Sequence, residues 1–389
     1  MKIIAKLFLI ILLFPDISIA NTVTCTPNTT WPGESANVNI SGIVSIGEDA
    51  PIGTVIYSAE YTSQKLTGIV CSSEEVWPST TTYIDLPVAA EINSAPLPVV
   101  PDITGPYGET VYKTNIPGIG VSVAIKTDGN SRGNIPYHFI RKSRPSSPGV
   151  VGGGSNSGFK TYIYVNLVKT GGYTSGTVDG SLFPSIKITF TDPVYPETQF
   201  VGFPFLMNTL NFSGQTQIIT STCNIITPHI TVPLGSHDVS EFRGIGTYTE
   251  WKNASIELTG CKNFSPGFYS ATSATQKVTG SGTFSVGPPD TRNRIYVVLS
   301  PVTGVISREQ GIIALEPSND TASGLGIQVG IDNNGTILPV PISSEYDLDV
   351  PDDSNFTLRI PLFARYIQTD VPVKAGTANS ALIYTINYY

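Results

Sequence analysis

Four cysteines, Cys25, Cys71, Cys223 and Cys261, carry the plainest chemistry in the 389-residue sequence. Two fall in each half, and four cysteines allow three pairings. In an exported chain they can be oxidised. Bridges within each half, Cys25 to Cys71 and Cys223 to Cys261, avoid closing a long loop and are the expected framework. A zinc site would call for a CxxC spacing, which is absent. With every thiol in a bridge, no cysteine is left as a nucleophile. The three histidines, His138, His229 and His237, lie in loop-like contexts. No Gly-x-Ser-x-Gly elbow and no His-Glu-x-x-His pair occurs. Nothing marks two carboxylates as a glycosidase pair. Gly149 to Gly158 reads as a flexible loop and not as a phosphate cradle, because no Gly-Lys-Ser/Thr follows. No catalysis, cofactor or metal is expected.

Recognition chemistry is easier to find. From Gly129 through Val178 there is no Asp or Glu, yet the stretch holds Arg132, His138, Arg141, Lys142, Arg144, Lys160 and Lys169. In a chain of net charge −8 this is a local positive field. Arg132, His138, Arg141, Lys142 and Arg144 are expected on loops of one surface, facing an anionic receptor; a solvated basic loop is the plainer alternative. A neutral sugar would instead need an aromatic face with carboxylates and amides around it. Trp31 and Trp77 could supply that face, Trp77 from the polar stretch Glu74-Glu75-Val76-Trp77-Pro78-Ser79, or both could belong to a core. The acidic balance argues against nucleic acid, which needs a basic face.

The elements that must position these residues are strands. Charged residues make up 13% of the chain, about half the usual share, while Gly (37) and Pro (30) punctuate it often. No long stretch has helical apolar spacing. Alternation is common instead, as in Thr161-Tyr162-Ile163-Tyr164-Val165-Asn166-Leu167 and Ile186-Lys187-Ile188-Thr189-Phe190, with turn signals such as Asp128-Gly129-Asn130 between runs. Many short strands predict an all-β chain of sandwich or barrel type. Residues 1–20 read as a signal peptide: Lys2 and Lys6, the apolar run Leu7 to Phe14, and Ser18-Ile19-Ala20 before the cut. The boundary between halves is expected near residues 211–222. It separates a first domain of residues 21–215 from a second of residues 223–389, with 216–222 as linker.

The last strand is the most informative segment. From Ala378 onward the even positions Ser380, Leu382, Tyr384, Ile386 and Tyr388 share one face. Gly376 leads into it, and Tyr388 is penultimate. With Cys223 and Cys261, Gly324-Leu325-Gly326-Ile327, Phe363-Ala364-Arg365-Tyr366 and Val373-Lys374-Ala375-Gly376, this tail resembles the C-terminal signature of chaperone–usher pilins. The two-part layout resembles the tip adhesins of type 1-like fimbriae. Val111-Tyr112-Lys113-Thr114-Asn115-Ile116-Pro117-Gly118-Ile119-Gly120-Val121 also looks like a recurrent structural segment of such adhesin domains.

The resemblance implies two immunoglobulin-like β-sandwich or jelly-roll domains, the second an incomplete pilin sandwich lacking its last strand. It implies that Gly376, Leu382, Tyr384, Ile386 and Tyr388 form the edge read by a periplasmic pilus chaperone and later covered by a strand from an adjacent subunit. An outer-membrane usher and a host glycan or glycoprotein receptor complete the implied partners, and the fimbrium tip at the cell surface is the implied place. Only Asn21-Thr22-Val23-Thr24 precede Cys25 after the expected cut, too few for a donated strand of roughly ten residues, so the chain is expected to accept a strand and not to give one. The mannose-specific relatives begin their mature chain with an aromatic pocket residue; here Asn21 stands there. A structural tip initiator with no receptor is the alternative function.

Overall fold

The computed structural model describes residues 21–77, 82–148, 158–173, 175–264, 267–268, 276–279, 284–286, 291–348, 350–351 and 355–389. The expected signal peptide, residues 1–20, lies outside them. Among the described residues no α-helix occurs; the helical content is two single 3-10 turns, Gly180–Leu182 and Val239–Glu241. The all-β expectation holds because alternating apolar residues can bury one face of a strand, and the described residues offer no helix a continuous apolar stripe.

The first half packs two sheets over one core. One sheet contains, side by side, Val55–Thr62, Thr161–Lys169, Ile119–Thr127, Thr110–Lys113 and Val99–Thr104. The other runs Tyr137–Ser143, Ile84–Ser94, Ser185–Phe190, Phe205–Ser213 and Ser35–Asn39. Val121, Val123 and Ile125 meet Ile163, Val165 and Leu167 between the strands Ile119–Thr127 and Thr161–Lys169, all buried. A smaller sheet holds the chain start: Asn21–Thr24 lies between Thr198–Val201 and Thr67–Ser73. Cys25 stands opposite Cys71 in that register and is bridged to it.

The second half has a separate core, built from Ile256, Leu258, Ile295, Val297, Leu299, Val329, Ile360 and Leu362 among others. Its sheets include Lys252–Asn253, Leu362–Gln368, Leu325–Asn333, Ile312–Ile313 and Val305–Ser307, the pair Ile256–Lys262 and Asn355–Ile360, and the three-stranded set Glu345–Leu348, Ile295–Pro301, Leu382–Tyr388. Cys223 is bridged to Cys261.

Between the cores the expected linker is not a loop. Residues 216–222 lie inside one strand, Gln215–Ile225. Its first part pairs in parallel with Gly42–Gly47 and its end pairs with Ile256–Lys262. Thr216 and Ile218 are buried at alternate positions on one face of this strand, and Ser221 is buried on the other face. A buried polar node fastens this junction. Asn293 Nδ2 donates toward Ser221 Oγ (2.9 Å), Ser45 Oγ (3.1 Å) and the Phe264 carbonyl (3.1 Å). The node joins both halves and the strand between them.

Candidate functional site

The strand Leu382–Tyr388 is the last in its sheet and pairs on one side only, with Ile295–Pro301. Backbone bonds set which residues face the open side. Tyr389 exchanges both its bonds with Arg294 (2.7 and 2.9 Å), and the Ala381 carbonyl accepts from Val302 N–H (2.9 Å). Odd residues therefore bond inward, and the N–H and C=O groups of Leu382, Tyr384, Ile386 and Tyr388 point to the free edge. The side chains of these four pack on the second core, while Ile383 points out and is 60% exposed.

Beside that edge lies a cleft of about 320 Å³. Core residues Leu234, Ile256, Ile327, Val329 and Leu362 line it together with Leu382 and Tyr384. The opposite wall is the segment from Pro228 to Val232, exposed through Thr231 and half-buried at Val232. Two tyrosines reach across the gap: Tyr384 OH donates to the carbonyls of Pro228 (3.1 Å) and Thr227 (3.2 Å), and Tyr388 OH to that of Cys223 (3.4 Å). Burial raises the Tyr388 pKa above its ordinary value. An open strand edge next to an apolar trough is the geometry of a sandwich short of one strand.

Residues 210–389 match the family model described as fimbrial protein. The second half of the chain thus holds a region that is similar to a fimbrial protein domain. No match is found among curated proteins. Among solved structures, the chain is similar to the CupB6 tip adhesin from Pseudomonas aeruginosa, at 14% identity over 93% of both chains with a TM-score of 0.32. It is similar to the receptor binding domain of a plasmid-born adhesin of Klebsiella pneumoniae at 18% identity, covering 52% of this chain and 99% of that one, with a TM-score of 0.30. The P pilus rod subunit PapA is 14% identical over 43% of this chain and 99% of its own, with a TM-score of 0.29.

Within the fimbrial domain, Gly376 is not part of the free edge. It sits where the chain crosses Asp320 to Ala322, and a Cβ there would lie 2.5 Å from the Ala322 nitrogen and the Asp320 carbonyl. Both are backbone atoms tied to Thr377, so neither can swing aside. Gly376→Ala is therefore expected to destabilise the fimbrial domain by about 1–3 kcal/mol, the usual cost of overpacking. A melting curve checks this, and an unchanged midpoint would refute the close-approach role.

The receptor residues expected in the first half are not gathered into one patch. Arg132 belongs with the first sheet, its guanidinium carbon 3.4 Å from the Tyr164 ring centre and 4.0 Å from that of Tyr107. His138, Arg141 and Lys142 lie on the strand Tyr137–Ser143, at the edge of the other sheet. Strand alternation then divides these three: His138 and Lys142 are exposed, whereas Arg141 turns inward over Phe159 (5.2 Å). Burial pulls the Arg141 pKa down from its ordinary value, and nearby Asp128 acts the other way. Lys142 stands opposite the exposed Asp85, and Arg144 is half-buried. A stretch without acids in sequence is thus met by acids in space. Trp77 is also corrected: it is 6% exposed, its indole N–H donates to the Thr82 carbonyl (3.0 Å) and its ring packs on Tyr195. It presents no open stacking face. Trp31 is half-buried against Gly68 and Gly158.

Sequence reasoning missed the outer face of the first sheet. Tyr162 and Tyr164 share a face opposite the core residues of their strand, and Tyr107 joins them with 47% exposure. Tyr162 OH donates to Asp128 Oδ1 (2.9 Å), and Lys126 lies over the Tyr162 ring (5.8 Å). The alternation of Tyr162 and Tyr164 with Ile163 and Val165 was the available signal. Beside this face runs a buried polar row. Ser58 Oγ donates to Asn166 Oδ1 (2.8 Å), and Asn166 stands opposite Ser122. Asn166 Nδ2, Ser122 Oγ and the fully buried Glu109 Oε1 have no hydrogen-bond partner among the described residues.

Proposed function

We propose that the chain is a fimbrial tip adhesin: its first half binds a host receptor, and its fimbrial domain accepts a strand from the next subunit. The carrying observation is the unpaired edge Leu382–Ile386 beside an apolar cleft lined by core residues. An extended chain laid there would satisfy the free N–H and C=O groups and seat alternate side chains in the cleft, which is strand addition. On this reading a periplasmic chaperone covers the edge first, an outer-membrane usher passes the chain outward, and the tip is its final place. Asn21–Thr24 is already held between two strands of the first half, which supports acceptance over donation.

The receptor face proposed is the outer surface of the first sheet around the exposed Tyr107 and around Arg132, which covers the buried Tyr164 ring, with Tyr162 and Asp128 at its side. Aromatic rings offer a sugar its stacking surface, and Arg132 and Asp128 offer partners for hydroxyls. A glycan is the receptor class this chemistry suits. Cells displaying the full chain on intact fimbriae test both parts. Tyr107→Ala and Arg132→Ala should each lower adhesion at least about tenfold, the effect of losing one contact worth about 1.4 kcal/mol. The fimbriae should remain. Adhesion should vary little with salt, because stacked neutral sugars are not screened. Loss of adhesion only in Lys142→Ala, with steep salt dependence, would move the receptor to the basic edge strand. Full fimbriation with no adhesion to any host surface would favour the tip-initiator role.

A further inference from the structure

The free edge of the fimbrial domain is not open along its whole length. Its last rung, Tyr388, is already bonded to the first half of the chain. Asp49 N–H donates to the Tyr388 carbonyl (3.0 Å), and Tyr388 N–H donates to Asp49 Oδ2 (3.0 Å). Asp49 thus takes both backbone groups that Tyr388 turns outward, as a neighbouring strand residue would. The approach depends on Gly47, because a Cβ there would overlap the Tyr388 carbonyl.

The turn that presents Asp49 is held firmly. It follows the strand Gly42–Gly47, which runs in register along Thr216–Ser221. Ala50 N–H closes the turn onto the Gly47 carbonyl (3.3 Å), and the buried Lys169 donates its ammonium to the Glu48 carbonyl. The Tyr388 ring is fixed as well, by its bond to the Cys223 carbonyl and by Phe264.

We infer that Asp49 marks the end of the acceptor edge, so the partner is an extended strand that pairs with Leu382, Tyr384 and Ile386 and stops short of Tyr388. The inference rests on the strand-acceptor reading above. Three rungs at alternate residues span five residues, about 13–17 Å of strand. A partner strand that continued to Tyr388 would have to displace Asp49 and part the two halves of the chain at this point. The first half therefore sets the register of the incoming strand.

Amide hydrogen exchange on the full mature chain tests this. The chain is released from its periplasmic chaperone onto a synthetic peptide of about ten alternating valine and threonine residues, long enough to cover all four rungs. In the wild type the amides of Leu382, Tyr384, Ile386 and Tyr388 should all exchange slowly. In Asp49→Ala the Tyr388 amide should exchange at least about tenfold faster, as loss of a bond to a charged acceptor implies. Tyr384 and Ile386 should be unchanged. Gly47→Ala should release Tyr388 in the same way by steric means. If Tyr388 stays slow in both variants, the peptide pairs that rung and the inference is overturned while the acceptor reading stands. If Tyr384 and Ile386 are unprotected with peptide present, the acceptor reading falls and the inference falls with it.

Discussion

Fusing a donor strand behind Tyr389 is expected to raise the melting midpoint of the fimbrial domain by about 6–12 °C and to keep the chain monomeric. The physical case begins with the cleft between Leu382–Ile386 and Pro228–Val232. A strand placed there buries alternate apolar side chains, each contributing about 1.5–3 kcal/mol. It also bonds the outward N–H and C=O groups of Leu382, Tyr384 and Ile386. Ordering the strand takes back most of that gain. A net gain of about 3 kcal/mol gives the stated shift for a fold of this size. A flexible linker is needed so that the fused segment can pass Asp49. The unfused chain should associate through its edge, since an exposed strand beside apolar surface templates pairing. Light scattering and thermal melting read both effects. An unfused chain that is monomeric and melts at the same midpoint would remove the missing-strand reading.

Removing the second disulfide is the other large effect. Cys223 and Cys261 are 38 residues apart, and the bridge closes the start of the fimbrial domain onto its first long strand. In the loop-entropy account a loop of this size contributes about 4 kcal/mol. Cys261 is fully buried, so a serine there would add an unsatisfied hydroxyl costing about 1–3 kcal/mol. The two costs together, about 5–7 kcal/mol, should lower the fimbrial domain's midpoint by about 10–28 °C in the double variant Cys223→Ser, Cys261→Ser on the same scale. Tyr388 should loosen too, because its hydroxyl bonds the Cys223 carbonyl. The equivalent change at Cys25 and Cys71 should leave this transition in place, since that bridge belongs to the other core. A fall of less than about 2 °C in the donor-filled double variant would show that packing alone holds the domain together.

What could be read from the chain without coordinates was whatever repeats every second residue or is tied covalently. Leu382, Tyr384, Ile386 and Tyr388 fall on one face because a strand alternates, whatever it packs against. The cysteines pair within halves because short loops cost least to close. The all-β class followed from the turn residues and the lack of a helical stripe. The groups that meet across the fold were decided elsewhere. Arg132, His138, Arg141 and Lys142 are close in sequence, yet the chain carries them onto two sheets and onto opposite faces of one strand, with Asp85 facing Lys142 from another strand. Trp77 lies in a polar stretch that left a stacking face and a core place both open, and Tyr195 and the Thr82 carbonyl decide for the core. Residues 216–222 follow the polar stretch Asn211 to Gln215 and read as a linker, but Gly42–Gly47 lies alongside them in a strand pairing. Asp49 and Tyr388 are 339 residues apart, and no local rule could join them. Periodicity and covalent links act along the chain and are legible in it; charge pairing, burial and edge capping act through space, and only the tertiary structure decides them.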